Sequence, residues 1–178
     1  KLMESNYRNF TPDFVARKSV FCFNDRLICL GTGIRNSNKN YPTETTLFQS
    51  VFRNGMSIRL GNNEMTEVGS SLEMMGDTLS PLCLQDAYGN YYFVKHGKVR
   101  AQIARQESRH EKTKEVTYGE FASAWIDHGK SPQGESYEYM IWIQPNEQDL
   151  KNISAQNTYT VLLCNNTVHA ARDSQTVI

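Results

Sequence analysis

The side chains best placed to do chemistry are Asp127 and His128, a carboxylate beside an imidazole just ahead of Gly129. That pairing could supply a general base and the group that orients it. Neighbours on a strand point to opposite faces, so no catalytic dyad is expected there. The run Arg35-Asn36-Ser37-Asn38-Lys39-Asn40 gathers amide and cationic donors suited to sulfate or carboxylate oxygens. Arg35, Asn36, Asn38 and Lys39 are therefore the candidate substrate contacts, against the plainer reading of a solvated turn. His96, His110 and His169 are scattered, and no pair has metal-ligand spacing. The reading assigns no catalytic residue, metal or cofactor. Gly31-Thr32-Gly33 opens like a phosphate loop but lacks the third glycine and a following helix. A tight turn or a close backbone approach is expected instead.

Cys22, Cys29, Cys83 and Cys164 have neither zinc-site spacing nor the density of a disulfide scaffold, and read as small buried apolar residues. The close pair can be tested by geometry. Phe21 to Cys29 reads as a hairpin turning at Asn24-Asp25, in which Cys22 faces Leu27 and Cys29 faces Val20. The two sulfurs are then diagonal across the ladder, a poor geometry for a bridge, and the thiols are expected to be reduced. Trp125, Tyr137, Tyr139 and Trp142 cluster in one block. Such rings stack on sugars, but buried sandwich aromatics explain them without a ligand, so Trp125 is assigned to the core. Asn152-Ile153-Ser154 and Asn165-Asn166-Thr167 match a glycan-acceptor pattern that matters only in a eukaryotic secretory protein.

The elements that must position these groups are strands. The chain of 178 residues balances 19 basic against 19 acidic side chains, which removes the basic footprint of a nucleic-acid binder. Its longest apolar run is only a few residues, against the roughly 18 that a spanning helix needs. No signal peptide is visible in Lys1 to Ser5. β-Branched and aromatic runs broken by Asn, Gly and Asp clusters predict strands from Phe14 to about Ala104, including 43–52, 56–60, 82–85, 91–95 and 98–104. Arg105 to Lys114 is charged and aperiodic and reads as an exposed connection. Further strands are expected over 121–127, 137–144, 159–164 and 168–172, with one short helix near 146–154 capped by Asn146 and apolar at Leu150 and Ile153.

One hairpin constrains the architecture. Val20, Cys22, Leu27 and Cys29 share one face while Phe21, Phe23, Ile28 and Leu30 share the other. A sheet apolar on both faces implies a third layer or a neighbouring domain. The fold class expected is therefore all-β, an antiparallel multilayer β-sandwich, with residues 1–178 in a single β-sandwich domain. Part of that apolar surface is expected to be left uncovered.

Longer words in the sequence carry a resemblance. Ala16-Arg17-Lys18-Ser19-Val20-Phe21, then Arg26-Leu27-Ile28-Cys29-Leu30-Gly31-Thr32-Gly33-Ile34 and Glu44-Thr45-Thr46-Leu47-Phe48-Gln49, resemble the central β domain of the chondroitin sulfate ABC lyases of polysaccharide lyase family 8. Phe121 to Gly129, Pro132 and Tyr137-Glu138-Tyr139-Met140 continue it in the same order; Gly55 to Gly76 holds no such word. The resemblance implies that residues 1–178 are a fragment of a longer protein with a large multilayer β-sandwich, a bacterial, secreted or periplasmic lyase that cleaves chondroitin and dermatan sulfates by β-elimination. It implies as partners the glycosaminoglycan, an upstream helical catalytic domain and further β domains, without nucleic acid or a membrane span. None of the matched words holds the His, Tyr, Arg or Glu positions of that chemistry, so the segment is read as scaffold, inactive by itself. The alternatives are a freestanding carbohydrate-binding β-sandwich and, less supported, an autonomous enzyme using Asp127 and His128.

Overall fold

The computed structural model describes residues 13–152 and 159–173. Among these, thirteen strands and one short helix follow in order: β1 (Val15–Phe23), β2 (Arg26–Arg35), β3 (Pro42–Val51), β4 (Ile58–Leu60), β5 (Asn63–Met65), β6 (Ser71–Gly76), β7 (Leu82–Gln85), β8 (Tyr91–Val94), β9 (Gly97–Arg109), β10 (Val116–Lys130), β11 (Gln133–Trp142), α1 (Glu147–Asn152), β12 (Tyr159–Cys164) and β13 (His169–Asp173). They form a seven-stranded sheet in the order β1-β2-β11-β8-β7-β4-β5, a four-stranded sheet β3-β10-β9-β6, and the hairpin β12-β13. Every ladder is antiparallel.

The first hairpin turns at Asn24-Asp25 with Asn24 at φ 51°, and its register pairs Cys22 with Leu27 and Val20 with Cys29, as expected. All four cysteines are free thiols. Only Cys29 is buried, with Cys83 half-buried and Cys22 and Cys164 exposed, which corrects the uniform core assignment. β1 is the sheet's edge, and its Val20 and Cys22 are exposed while Phe21 and Phe23 on the other face are half-buried. Val20 is accordingly 60% exposed, which agrees with a partly uncovered apolar face.

Two cores flank the seven-stranded sheet. Between it and the four-stranded sheet, Cys29, Ile34, Leu60, Leu84, Tyr92 and Val94 meet Phe48, Val99, Ile103, Ala122, Ala124 and Ile126. On its other face Ile28, Leu30, Met140 and Trp142 pack with Phe21, Phe23 and Phe93 beneath Tyr159, Val161 and Ala171 of β12-β13. The small hairpin is thus the third layer that a two-faced sheet demands. Polar bonds fasten it at both ends. Arg26 reaches Asp173 at 3.2 Å with both side chains nearly sealed from solvent. Tyr159 donates to Glu138 at 2.8 Å, and Lys95 pairs with the same carboxylate at 2.5 Å. His169 sits between Ser19 Oγ and Thr32 Oγ1, each at 2.9 Å.

Three expectations need correction. Residues 105–109 are not a connection but the end of β9, paired with 116–120 of β10; only the turn at 110–114 matches the earlier reading. β3 joins β10 only from Phe121, and β6 leaves β9 after Gln102, so this ribbon extends past the sandwich with most of its side chains in solvent. That exposure explains a charged strand without alternation. β5 and β6 lie in the stretch that carried no recognisable word. Trp125 is not in the core: β10 turns Ala122, Ala124 and Ile126 inward, and alternation sends Trp125 outward. Ile153, assigned to the helix's apolar side, lies outside the described residues.

Close backbone approach is the role of Gly31. A Cβ there would lie inside the Tyr137 ring, while Gly33 takes the left-handed φ of +61° that its type permits. Gly31→Ala should cost about 1–3 kcal/mol by overpacking. Urea denaturation at constant m-value measures it; an unchanged midpoint would mean that the Tyr137 ring can leave its place.

Candidate functional site

β10 pairs with β3 on one side and β9 on the other, so outward side chains of three strands line up in rows. Glu44, Asp127 and Lys98 form one row, Thr46, Trp125 and Arg100 the next, and Gln49, Ser123 and Gln102 a third. Between them lies an open groove of about 390 Å³ lined by Glu44, Thr46, Gln49, Gln102, Ser123 and Trp125. Gln49 Nε2 donates to Gln106 Oε1 at 2.6 Å, and Gln106 Nε2 donates to Ser123 Oγ at 3.4 Å. Arg100 bridges Glu73 at 2.8 Å and Asp127 at 3.2 Å, and Lys98 also pairs with Glu73, at 3.1 Å. Burial, and secondly the Asp127 charge, push the Glu44 carboxyl above its usual range, with Arg100 opposing. Trp125 Nε1 is buried and has no hydrogen-bond partner.

The Asp127-His128 pair separates as strand geometry requires. Asp127 accepts from the Gly129 N–H at 2.8 Å and from Arg100, on the outer face. His128 turns inward, its Nε2 2.8 Å from Oγ1 of buried Thr45 and its ring centroid 6.2 Å from that of Tyr137. Burial lowers the His128 pKa, the nearby Asp127 charge opposes this, and Lys18 and His96 add to the lowering. His96 reaches Ser136 Oγ at 3.3 Å, and His110 Nδ1 caps the turn at Thr113. Among the described residues no three of His, Cys, Asp or Glu converge as a metal site.

The loop residues divide by role. Asn36 is 5% exposed; its Nδ2 donates to Thr43 Oγ1 at 2.6 Å and its Oδ1 accepts from the Asn38 N–H at 2.8 Å. Asn38 Oδ1 in turn accepts from the N–H groups of Asn40 and Tyr41. Those carbonyls hold the turn. Arg35 and Lys39 are exposed. The size of Trp125 hides the groove in the sequence by pointing to the core, although Phe121, Ser123, Trp125 and Asp127 alternate with Ala122, Ala124 and Ile126 and so mark the outer face.

Residues 3–154 match the family model described as polysaccharide lyase family 8, super-sandwich domain. The chain belongs to polysaccharide lyase family 8. A chondroitin sulfate ABC exolyase of Proteus vulgaris is 36% identical over 167 residues, 90% of this chain and 15% of that protein. A chondroitin sulfate ABC endolyase of the same organism is 32% identical over 178 residues, 95% of this chain and 17% of that protein. The chain therefore spans about one-sixth of these curated relatives. Among solved structures, a chondroitinase AC lyase superposes with TM-score 0.74 at 21% identity, over 90% of this chain and 24% of that one. A Paenibacillus xanthan lyase gives the same TM-score at 19% identity, over 90% and 16%. These two likenesses carry the fold, a family 8 super-sandwich of antiparallel sheets.

In this family 8 chain the lowered His128 pKa has a consequence for stability. An unfolded histidine near the ordinary 6.5 binds protons that the folded one does not, so stability is full above that value and falls as pH drops through 6.5 toward the folded midpoint. An NMR titration should place the His128 midpoint below 6.5, and His128→Gln should remove this part of the acid slope in stability. A midpoint at or above 6.5 would contradict the inward, desolvated placement.

Proposed function

We propose that the chain is a noncatalytic part of the sandwich domain of a bacterial, secreted or periplasmic lyase that breaks chondroitin and dermatan sulfates by β-elimination. The observation that carries the reading is its 36% identity to a chondroitin sulfate ABC exolyase over 90% of the chain, within a family 8 super-sandwich match. Elimination needs a base for the C5 proton of the uronate, a donor for the leaving oxygen, and charge neutralisation at the uronate carboxylate. The arrangement here suits support rather than those tasks. Asp127 is held by Arg100 and the Gly129 amide, and His128 is turned away from it toward Thr45. The histidines at 96 and 169 are likewise engaged by hydroxyls within the fold. On this reading residues 1–178 are one piece of that domain, the catalytic groups come from an upstream helical domain, and no cofactor is assigned to this segment.

Substrate contact, where the segment makes any, falls to Arg35 and Lys39, whose cationic groups are in solvent and suit sulfate or carboxylate oxygens. Asn36 and Asn38 set the loop that carries them. The second reading, a freestanding carbohydrate-binding sandwich, is favoured by one observation, the outward Trp125 in a polar groove.

Two measurements test the proposal. Incubated with chondroitin or dermatan sulfate, the chain alone should give no ultraviolet absorbance from unsaturated products above a no-protein control. Exchanged for the matching segment of the Proteus vulgaris exolyase, it should leave a folded chimera with measurable lyase activity. Activity that copurifies with the isolated chain, or a folded chimera that is inactive while binding substrate normally, would overturn the scaffold role.

A further inference from the structure

We propose that the outer face of the β3-β10-β9-β6 sheet is a binding site for an uncharged pyranose ring, centred on Trp125 and flanked by Glu44, Gln102 and Ser123. The site goes beyond the lyase reading and does not depend on it, since the argument uses only the groove itself.

The first support is the unpaired indole. Trp125 Nε1 is buried and lacks a partner within the protein, a cost that a native structure seldom carries without a reason. The N–H itself is sealed from solvent, so a ligand hydroxyl accepts it only when the ring turns on binding, while the accessible part of the indole offers an apolar surface for the C–H face of a sugar. The second support is the mix of polar groups. Glu44, when ionised, can only accept, Gln102 both donates and accepts, and the Thr46 and Ser123 hydroxyls do either. Such alternation of donors and acceptors matches neighbouring ring hydroxyls, each of which also does both. The third is size: about 390 Å³ lies at the low end of the roughly 300–1,000 Å³ of small-ligand sites, enough for a monosaccharide unit.

Charge decides the class of sugar. The ionisable group lining the groove is the Glu44 carboxylate, with Asp127 beside it in the same row. The adjacent cations are already engaged, Arg100 with Glu73 and Asp127 and Lys98 with Glu73. A sulfate or uronate placed here would meet like charge without a waiting partner, whereas a hexose or N-acetylhexosamine would not. A packing surface for another protein segment would be apolar at its centre. Here Glu44, Thr46 and Gln49 are exposed and polar, so a hydrated ligand suits the face better.

The test follows the indole N–H signals of Trp125 and Trp142 by NMR in the ¹⁵N-labelled chain. The probes are N-acetylgalactosamine and the neutral tetrasaccharide chitotetraose, with a chondroitin 4-sulfate tetrasaccharide as the anionic arm at low and high salt. Trp142 is an internal control, because its Nε1 already donates to Asp25 at 2.6 Å under the third layer. The expected result is a saturable shift of Trp125 with at least one neutral probe and none of Trp142. Gln102→Ala should weaken binding about tenfold by the Trp125 signal, a change of roughly 1.4 kcal/mol, and Trp125→Ala by at least as much, read from the backbone amides of Thr46, Ser123 and Gln102. Gln102→Ala keeps the test decisive if removal of the indole disturbs the fold. Silence of Trp125 at tens of millimolar neutral sugar, or binding unchanged in a folded Gln102→Ala, would overturn the site. So would equal or tighter, salt-dependent binding of the sulfated probe at Trp125. Sulfated probe seen only at the Arg35 to Lys39 loop, with Trp125 silent, would overturn the groove and leave the lyase reading standing.

Discussion

A sheet that is apolar on both faces cannot stand in water, and this requirement organises the molecule. β2 and β11, the second and third strands of that sheet, turn Cys29, Ile34, Tyr137 and Tyr139 to one side and Ile28, Leu30, Met140 and Trp142 to the other. The first set is covered by a second sheet of four strands. The second is covered by a hairpin of two, a small area for the task, and buried polar groups hold that hairpin in place. The Arg26–Asp173 pair is the deepest of them, and Arg26 also lies 5.7 Å from the Trp142 ring centroid. A buried ion pair of this kind adds little net stability over an apolar equivalent, but losing one partner strands the other charge. It therefore fixes where the hairpin docks more than it strengthens the docking.

The same alternation that builds the two cores decides which groups remain for chemistry. Inward positions of β10 are filled by Ala122, Ala124 and Ile126, and in the same core Phe48 meets Tyr92 in a tilted ring contact with centroids 5.2 Å apart. Outward positions then receive Ser123, Trp125 and Asp127, and pairing with β3 and β9 assembles them into a polar face. Histidines that look available in the sequence are consumed as fasteners: His169 ties β13 to β1 and β2, and His128 ties the end of β10 to β3.

Much of this was legible before the structure. The register of the first hairpin follows from strand alternation and turn chemistry, the two apolar faces call for a third layer or a neighbouring domain, of which the structure shows the layer, and Gly31-Thr32-Gly33 reads as a tight turn or a close approach, of which Gly31 shows the approach. What escaped did so for physical reasons. The 105–109 and 116–120 ribbon leaves the sandwich and faces solvent on both sides, so no hydrophobic period marks it. β5 is only three residues long, and β6 alternates exposed Ser71, Glu73 and Met75 with half-buried Leu72, Met74 and Gly76, too weak a pattern to stand out. Trp125 was misplaced because size was weighed above position: its neighbours at 124 and 126 show which side is inside. In the loop at 35–40, residue type could not separate Asn36, whose amide is buried as a strut, from the exposed Arg35 and Lys39.

The account depends on the hairpin β12-β13 being part of one cooperative core and not a flap laid on a finished sheet. Native-state amide hydrogen exchange on the chain and on Asp173→Ala tests this directly. β2 and β11 should be the most protected strands, and loss of the Asp173 carboxylate should speed exchange in both together with β12 and β13, while the four-stranded sheet changes less. Faster exchange confined to β12 and β13, with β2 and β11 unmoved, would contradict the claim that the sheet needs its third layer.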